Sequence, residues 1–99
     1  MIIILTAYPD GKSASTAASK IVKKDLAACV NVIKVESSHY KWKDKQVKAQ
    51  EFLLIIKTSA RKYKKLEAWI GKNHPYDLPE VVRLPVSGGS KAYLAWIDS

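Results

Sequence analysis

The chain has 99 residues, a formal net charge of +8 and a single cysteine. Its length predicts one domain spanning residues 1–99, and its 47% hydrophobic content excludes a mainly disordered protein. The lone Cys29 excludes an intramolecular disulfide and favours a reducing compartment, so we expect a cytoplasmic protein. The apolar residues 1–5 are too few for a membrane span and have no basic residues before them, so we expect neither a signal peptide nor a membrane partner.

The first half of the chain predicts a strand, a helix and a second strand. Residues 2–8 form a β-branched run, and a turn at residues 9–11 follows it. We expect Ser13 to cap the helix that comes next. The predicted buried stripe of that helix consists of small or branched residues at helical spacing: Ala14, Ala17, Ala18, Ile21 and Val22.

A long hairpin is predicted from residues 28–43 and 46–58, with its turn near Asp44. By simple alternation Ser38, Tyr40 and Trp42 share one face of the first strand. The hairpin is longer than the core of a domain this size requires, so its tip should protrude. Two aromatic residues on a protruding arm favour packing against another copy of the chain.

The second half predicts a helix over residues 59–72, a strand over 81–86 and a short closing helix capped by Ser90. The predicted buried stripe of the first of these helices is Tyr63, Leu66, Trp69 and Ile70. The order β-α-β-β-α-β plus a short helix predicts an α+β, ferredoxin-like split βαβ sandwich with both long helices on one face. The other face of the sheet then needs cover, which again favours an oligomer.

Five segments are more specific than composition. They are Leu26-Ala27-Ala28-Cys29-Val30-Asn31, Ser38-His39-Tyr40-Lys41-Trp42, Glu51-Phe52-Leu53-Leu54-Ile55-Ile56-Lys57-Thr58, His74-Pro75-Tyr76-Asp77-Leu78-Pro79-Glu80 and Tyr93-Leu94-Ala95-Trp96. In this order and spacing they resemble the CutA family of divalent-cation tolerance proteins across essentially the whole chain. The resemblance implies a ferredoxin-like homotrimer with interlocked hairpins, no enzymatic activity and no required cofactor. It also implies a role in tolerance of divalent metals, with copper or another divalent cation as the candidate ligand.

The sequence departs from the family pattern at two places. The hairpin turn, usually acidic or glycine-bearing, is Lys43-Asp44-Lys45 here, so the tip is unusually basic. Some members draw a copper site from a cysteine at the end of the first strand and from paired histidines before Pro-Tyr. The matching positions here are Thr6, Asn73 and His74, so only the last histidine is retained.

His74 is therefore the first candidate metal ligand, with Glu80 from the same loop and Cys29 as further candidates. Each has a structural alternative. The histidine can be satisfied by backbone groups, Glu80 can form an ion pair that shapes its loop, and a cysteine on an apolar strand usually packs as a small hydrophobe. His39 lies on the charged side of the hairpin and is expected to be exposed.

A cleft for a small ligand is the second candidate site. Lys57 and Glu51 share a face of the third strand because their separation is even, and with Tyr76 they could line a cleft between subunits. The predicted interface residues are Tyr40, Trp42 and Trp96.

Three functions compete for this sequence. The first is metal tolerance with weak metal binding at the His-Pro-Tyr loop near the subunit interface. The second is a signalling or scaffold trimer, similar in architecture to PII proteins, that binds a small ligand or protein in the intersubunit cleft. The third is RNA binding, which the net charge allows. The aliphatic third strand lacks the stacking aromatics of RNA-recognition modules, so we expect no nucleic-acid partner.

Overall fold

The computed structural model describes residues 1–99, which form four strands and three α-helices. The strands are β1 (Ile2–Tyr8), β2 (Cys29–Trp42), β3 (Lys45–Thr58) and β4 (Val82–Pro85), and the helices are α1 (Gly11–Lys23), α2 (Tyr63–Asn73) and α3 (Lys91–Asp98). One antiparallel sheet has the order β2-β3-β1-β4. This is the split βαβ arrangement that the sequence predicts. None of the three helices has the length and apolar character that a membrane span needs.

The hydrophobic core lies between one face of the sheet and the two long helices. It consists of Ile2, Ile4, Tyr8, Ala14, Ala17, Ile21, Ala27, Leu54, Ile56, Leu66 and Ile70. The predicted helical stripes are therefore largely confirmed, with Ala18, Tyr63 and Trp69 packed at the edge of the core. Val22 is the exception, because 46% of it is exposed. It lies in the last turn of α1, beside the fully buried Ile21, at the margin of the stripe.

The helix boundaries differ from the prediction at two N-termini. Asp10, not Ser13, caps α1, since its carboxylate accepts a 2.7 Å hydrogen bond from the backbone N–H of Ser13. This bond is the main reason that the pKa of Asp10 is lowered. Ser59 makes no capping bond, and a 3₁₀ turn at Ala60–Lys62 precedes α2. The predicted cap of α3 is confirmed, because the Ser90 hydroxyl accepts from the N–H of Tyr93.

The hairpin of β2 and β3 turns through Lys43 and Asp44, which have φ angles of 50° and 64°. Positive φ at both positions is typical of a type I′ turn, whose twist matches that of the flanking strands. Each strand has 14 residues, and the chain extends 45 Å along its longest axis against 25 and 21 Å across. The predicted protruding arm is therefore present.

A β-bulge between Val35 and Ser38 changes the alternation of β2. Val35 pairs with Glu51 and Ser38 pairs with Ala49, so two residues of β2 lie opposite a single residue of β3. As a result Tyr40 continues the face that Val35 occupies before the bulge, which simple alternation misses. That face, which also carries Glu51, is the one that α1 and α2 leave uncovered.

Candidate functional site

The segment from His74 to Glu80, which we call the His74 loop, crosses the end of the sheet between its two faces. The imidazole of His74 anchors it: Nε2 lies 2.8 Å from the carbonyl oxygen of Ala7, and Nδ1 lies 3.1 Å from the backbone nitrogen of Tyr76. Since Nδ1 accepts the N–H of Tyr76, the ring proton is on Nε2, which donates to Ala7. The ring also stacks on Tyr8 at a centroid distance of 4.1 Å.

His74 is therefore held as a neutral imidazole. Desolvation lowers its pKa, and this outweighs the hydrogen bond to Ala7 and the charge of Glu51, which act in the opposite direction. Both ring nitrogens are already hydrogen-bonded, so a metal ion could bind here only by displacing a backbone partner. In the single chain, His74 therefore has the structural role considered above, in which backbone groups satisfy both ring nitrogens.

The hydroxyl of Tyr76 fixes the middle of the same loop. It donates a 2.8 Å hydrogen bond to the Glu51 carboxylate on β3. Burial, followed by this bond and the nearby charge of Glu51, raises the pKa of Tyr76, so the phenol keeps its proton. The structure thus brings together two of the three predicted cleft residues.

Between the hairpin and the His74 loop lies a groove of about 590 Å³, which we call the acidic groove. Its lining consists of Ala7, Ser38, His39, Tyr40, Trp42, Glu51, Pro75, Tyr76, Asp77, Leu78 and Glu80. Three of the nine acidic residues of the chain line it, whereas none of the 17 lysines and arginines does. In a chain of net charge +8, this is a surface that attracts cations.

Lys57 does not line the acidic groove of the single chain, and its place in a cleft between subunits stays a prediction. It does share a face with Glu51, but it lies six positions further along β3, which corresponds to about 20 Å. Its ammonium group lies 5.9 Å from the centroid of the Tyr93 ring, at the opposite end of the sheet. The even spacing in the sequence predicted correctly that Glu51 and Lys57 share a face, but it did not predict the distance between them.

Cys29 is likewise separated from the other candidate ligands. It pairs with Lys57 on β3, and Lys57 pairs in turn with Ile3 at the start of β1. His74 bonds to Ala7, four residues further along β1, which corresponds to about 13 Å. Within the chain no group of three or more His, Cys, Asp or Glu side chains is placed to hold a metal ion. The predicted set of His74, Glu80 and Cys29 is therefore not assembled by one chain.

The three predicted interface aromatics are all exposed to solvent in the single chain. Tyr40 is 42% exposed, Trp42 is 45% exposed and Trp96 is 54% exposed. Packing within the subunit, the alternative explanation for Tyr40 and Trp42, therefore leaves more than two fifths of each residue exposed. Their part in a subunit interface stays a prediction.

A second groove, of about 560 Å³, lies beside α1 and the end of α2. We call it the basic groove, and its lining consists of Tyr8, Asp10, Lys12, Ser13, Thr16, Ala17, Lys20, Trp69, Lys72, Asn73, His74 and Pro75. Sequence reasoning missed it because its three lysines come from two helices and form no local motif. The periodicity of α1 does place Lys12 and Lys20 on its outer side, but only the fold brings Lys72 beside them.

Comparison with known proteins identifies the family. The family described as CutA1 divalent ion tolerance protein matches residues 2–99. The chain belongs to this family. A divalent-cation tolerance protein CutA of Thermus thermophilus is 38% identical over 96% of this chain and 92% of its own length. A solved structure of the Thermus thermophilus protein covers 99% of this chain and 96% of its own, with a TM-score of 0.94 and 37% identity. The resemblance and the ferredoxin-like fold that the sequence predicts are thus confirmed.

Members of the CutA1 family differ in compartment and length. A chloroplastic CutA protein of Arabidopsis thaliana is 40% identical over 99% of this chain, which spans only 54% of that relative. A structure from Archaeoglobus fulgidus, described as a periplasmic divalent cation tolerance protein, covers 98% of this chain and 95% of its own at a TM-score of 0.93 and 32% identity. The domain is therefore shared by proteins that work in different surroundings.

Proposed function

We propose that this chain is a non-catalytic protein of divalent-cation tolerance that binds divalent metal ions, copper among them, weakly in the acidic groove. The observation that carries the proposal is the segregation of charge: Glu51, Asp77 and Glu80 line the groove, and no lysine or arginine does. Carboxylate oxygens suit hard divalent cations, and they can also ligate Cu²⁺ with water in the remaining positions.

The proposal moves the metal away from the ring of His74. The two nitrogens of that ring serve backbone groups. The ring of His39 does not replace it, because His39 alternates with Tyr40 along β2 and contacts the Ser37 hydroxyl at 3.1 Å on the opposite side of the strand. The predicted His-Pro-Tyr loop then contributes carboxylates and shape rather than the imidazole.

Weak binding follows from the spread of the ligands. Because one chain places no three of them together, water must fill most of the coordination sphere unless a second chain adds ligands. We therefore expect affinities in the micromolar range or weaker for the separated chain.

We also propose that the chain works as a homotrimer, in a reducing compartment such as the cytoplasm. Support for the oligomer comes from the apolar side chains that one chain leaves in water: Val32, Ile33, Tyr40, Trp42, Val82, Leu84 and Trp96 are all more than a third exposed. They lie along the hairpin, on the edge strand β4 and on α3. Light scattering should give a mass of three chains, and a monomer at micromolar concentration would contradict this part.

Titration calorimetry of Cu²⁺ into chelator-treated protein tests the metal site. Replacing Asp77 by Asn and Glu80 by Gln together should weaken binding at least tenfold, since neither carboxylate is held by a hydrogen bond within the chain. A matched double variant, Glu36→Gln with Asp44→Asn, removes the same charge outside the groove and should change affinity less than twofold. Heat no larger than that of dilution, or equal losses in both variants, would refute the site.

A second candidate is a ligand-binding or scaffold trimer, and one observation favours it. The acidic groove is also lined by Tyr40, Trp42 and Leu78, of which Leu78 is 71% exposed. An apolar wall of this kind suits an organic ligand or a protein segment rather than a bare ion. If Cu²⁺ does not bind, a basic peptide carrying an aromatic residue is the probe to use next.

A further inference from the structure

The basic groove has a charge opposite to that of the acidic groove. Lys12, Lys20 and Lys72 line it, and Asp10 is the one carboxylate among its lining residues. That carboxylate is already engaged, because it accepts the N–H of Ser13 as the cap of α1. The groove is therefore a concave surface with a net excess of positive charge, which concentrates small anions.

An unsatisfied donor lies in the wall of the same groove. Tyr8 is only 1% exposed, its hydroxyl oxygen has less than 1 Å² of accessible surface, and that oxygen has no hydrogen-bond partner. Burial raises the pKa of Tyr8 to about 12, so the hydroxyl keeps its proton and is available to donate. A buried hydroxyl without a partner is costly and uncommon in folded proteins, and a ligand that accepts from it would remove that cost.

The remaining lining residues add a neutral donor and a flat apolar surface. On the α1 side the Ser13 hydroxyl already donates to the carbonyl of Asp10 at 3.2 Å, so the added donor is the hydroxyl of Thr16. The partly buried Trp69 lies on the α2 side. Hydroxyls and lysines together suit a group that has several acceptor oxygens and more than one negative charge, which describes a phosphate better than a single carboxylate.

We propose that the basic groove binds a small phosphate-bearing anion, with Lys12, Lys20 and Lys72 pairing with its oxygens and the Tyr8 hydroxyl donating to one of them. The anion reaches that hydroxyl only after the side chains that cover it move aside, and the long lysine side chains at the rim are flexible enough to close over it afterwards. This site is independent of the metal proposal, because it lies on the helix side of the sheet and uses none of the acidic ligands.

The test is calorimetric titration of pyrophosphate and, separately, ADP into the full chain at fixed ionic strength, with a chelator present so that bound metal plays no part. We expect one anion per chain. A higher affinity for ADP than for pyrophosphate assigns the ligand to phosphorylated aromatic compounds that stack on Trp69. Equal affinity for the two probes assigns it to the phosphate group alone. Saturable binding of neither probe would overturn the proposal.

Three variants separate the groove from general attraction to a basic protein. Lys20→Gln with Lys72→Gln should weaken binding at least tenfold, whereas Lys23→Gln with Lys64→Gln, which removes the same charge from exposed positions on the same two helices, should change it less than twofold. Tyr8→Phe keeps the ring and should weaken binding about tenfold through the lost hydrogen bond to a charged acceptor. Equal losses in the two lysine pairs, or unchanged affinity in a folded Tyr8→Phe protein, would each contradict the site.

Discussion

Replacing His74 by alanine is the most direct test of the role that the structure gives this residue. The imidazole joins three parts of the molecule: it donates to Ala7 on β1, accepts from Tyr76 in its own loop and stacks on Tyr8. A histidine that serves as a metal ligand keeps one ring nitrogen free for the ion, whereas both nitrogens of His74 are hydrogen-bonded. We therefore expect the substitution to destabilise the protein before any metal is added.

The expected loss of unfolding free energy is about 2–4 kcal/mol. Each of the two neutral hydrogen bonds contributes about 0.5–1.5 kcal/mol net, and removing the ring leaves two partly buried backbone groups without their partners. Stacking of the ring on Tyr8 adds about 0.5–1.5 kcal/mol, by analogy with aromatic pairs. For a domain with a total stability of about 5–15 kcal/mol, this is a large fraction.

Urea unfolding followed by circular dichroism measures the loss, at one fixed chain concentration because an oligomer's stability depends on it. The matched control is His39→Ala. That histidine is exposed and makes one 3.1 Å contact with Ser37, so its loss should stay within about 0.5 kcal/mol. A loss below about 1 kcal/mol for His74→Ala, or equal losses in the two variants, would refute the anchoring role.

Three further predictions follow from buried or capping groups. Because burial lowers the pKa of His74 from 6.5, the unfolded chain binds more protons just below that pH. Wild-type stability should therefore fall between pH 7.5 and 5.5 more than that of His74→Asn, and parallel urea curves would contradict this. Tyr8→Phe removes a buried hydroxyl without a partner and should raise the free energy of unfolding by about 1 kcal/mol without ligand; a lower urea midpoint would show that the hydroxyl has a partner. Ser90→Ala removes the cap of α3 and should cost about 1 kcal/mol in the same assay, whereas Ser87→Ala, in the preceding loop, should not.

The fold could be predicted from the sequence because the spacing of the hydrophobic residues and the order of the predicted strands and helices both indicate the same split βαβ arrangement. Strand β1 was predicted with its observed bounds, and the other elements lie within a few residues of theirs. The errors occur where two local signals compete. Asp10 and Ser13 are both good caps, and the carboxylate at the earlier position takes the free N–H of the later residue. No distinctive residue marks the β-bulge after Val35 in the sequence, so counting alternate positions along β2 could not relate the face of Tyr40 to that of Val35.

The candidate site was only partly accessible for a different reason. The motif drew attention to the His74 loop, and Tyr76 does meet Glu51 as the cleft prediction requires. The main partner of His74 is a backbone carbonyl, that of Ala7, and backbone groups leave no trace in a sequence pattern. The sequence pattern also took no account of distance along a strand. Lys57 shares a face with Glu51 but lies too far along β3 to reach it.

The neutrality of His74 matters because of where the ring lies. Pro75 lines both grooves, and His74 lines the basic groove while donating to Ala7 in the wall of the acidic one. A protonated ring would place a positive charge between a cation-attracting and an anion-attracting surface, and it would lose the acceptor that holds Tyr76. A metal on the same ring would likewise break the backbone bonds that give both grooves their shape. The hydrogen bonds that make His74 a poor metal ligand are thus what lets one short loop separate two surfaces of opposite charge.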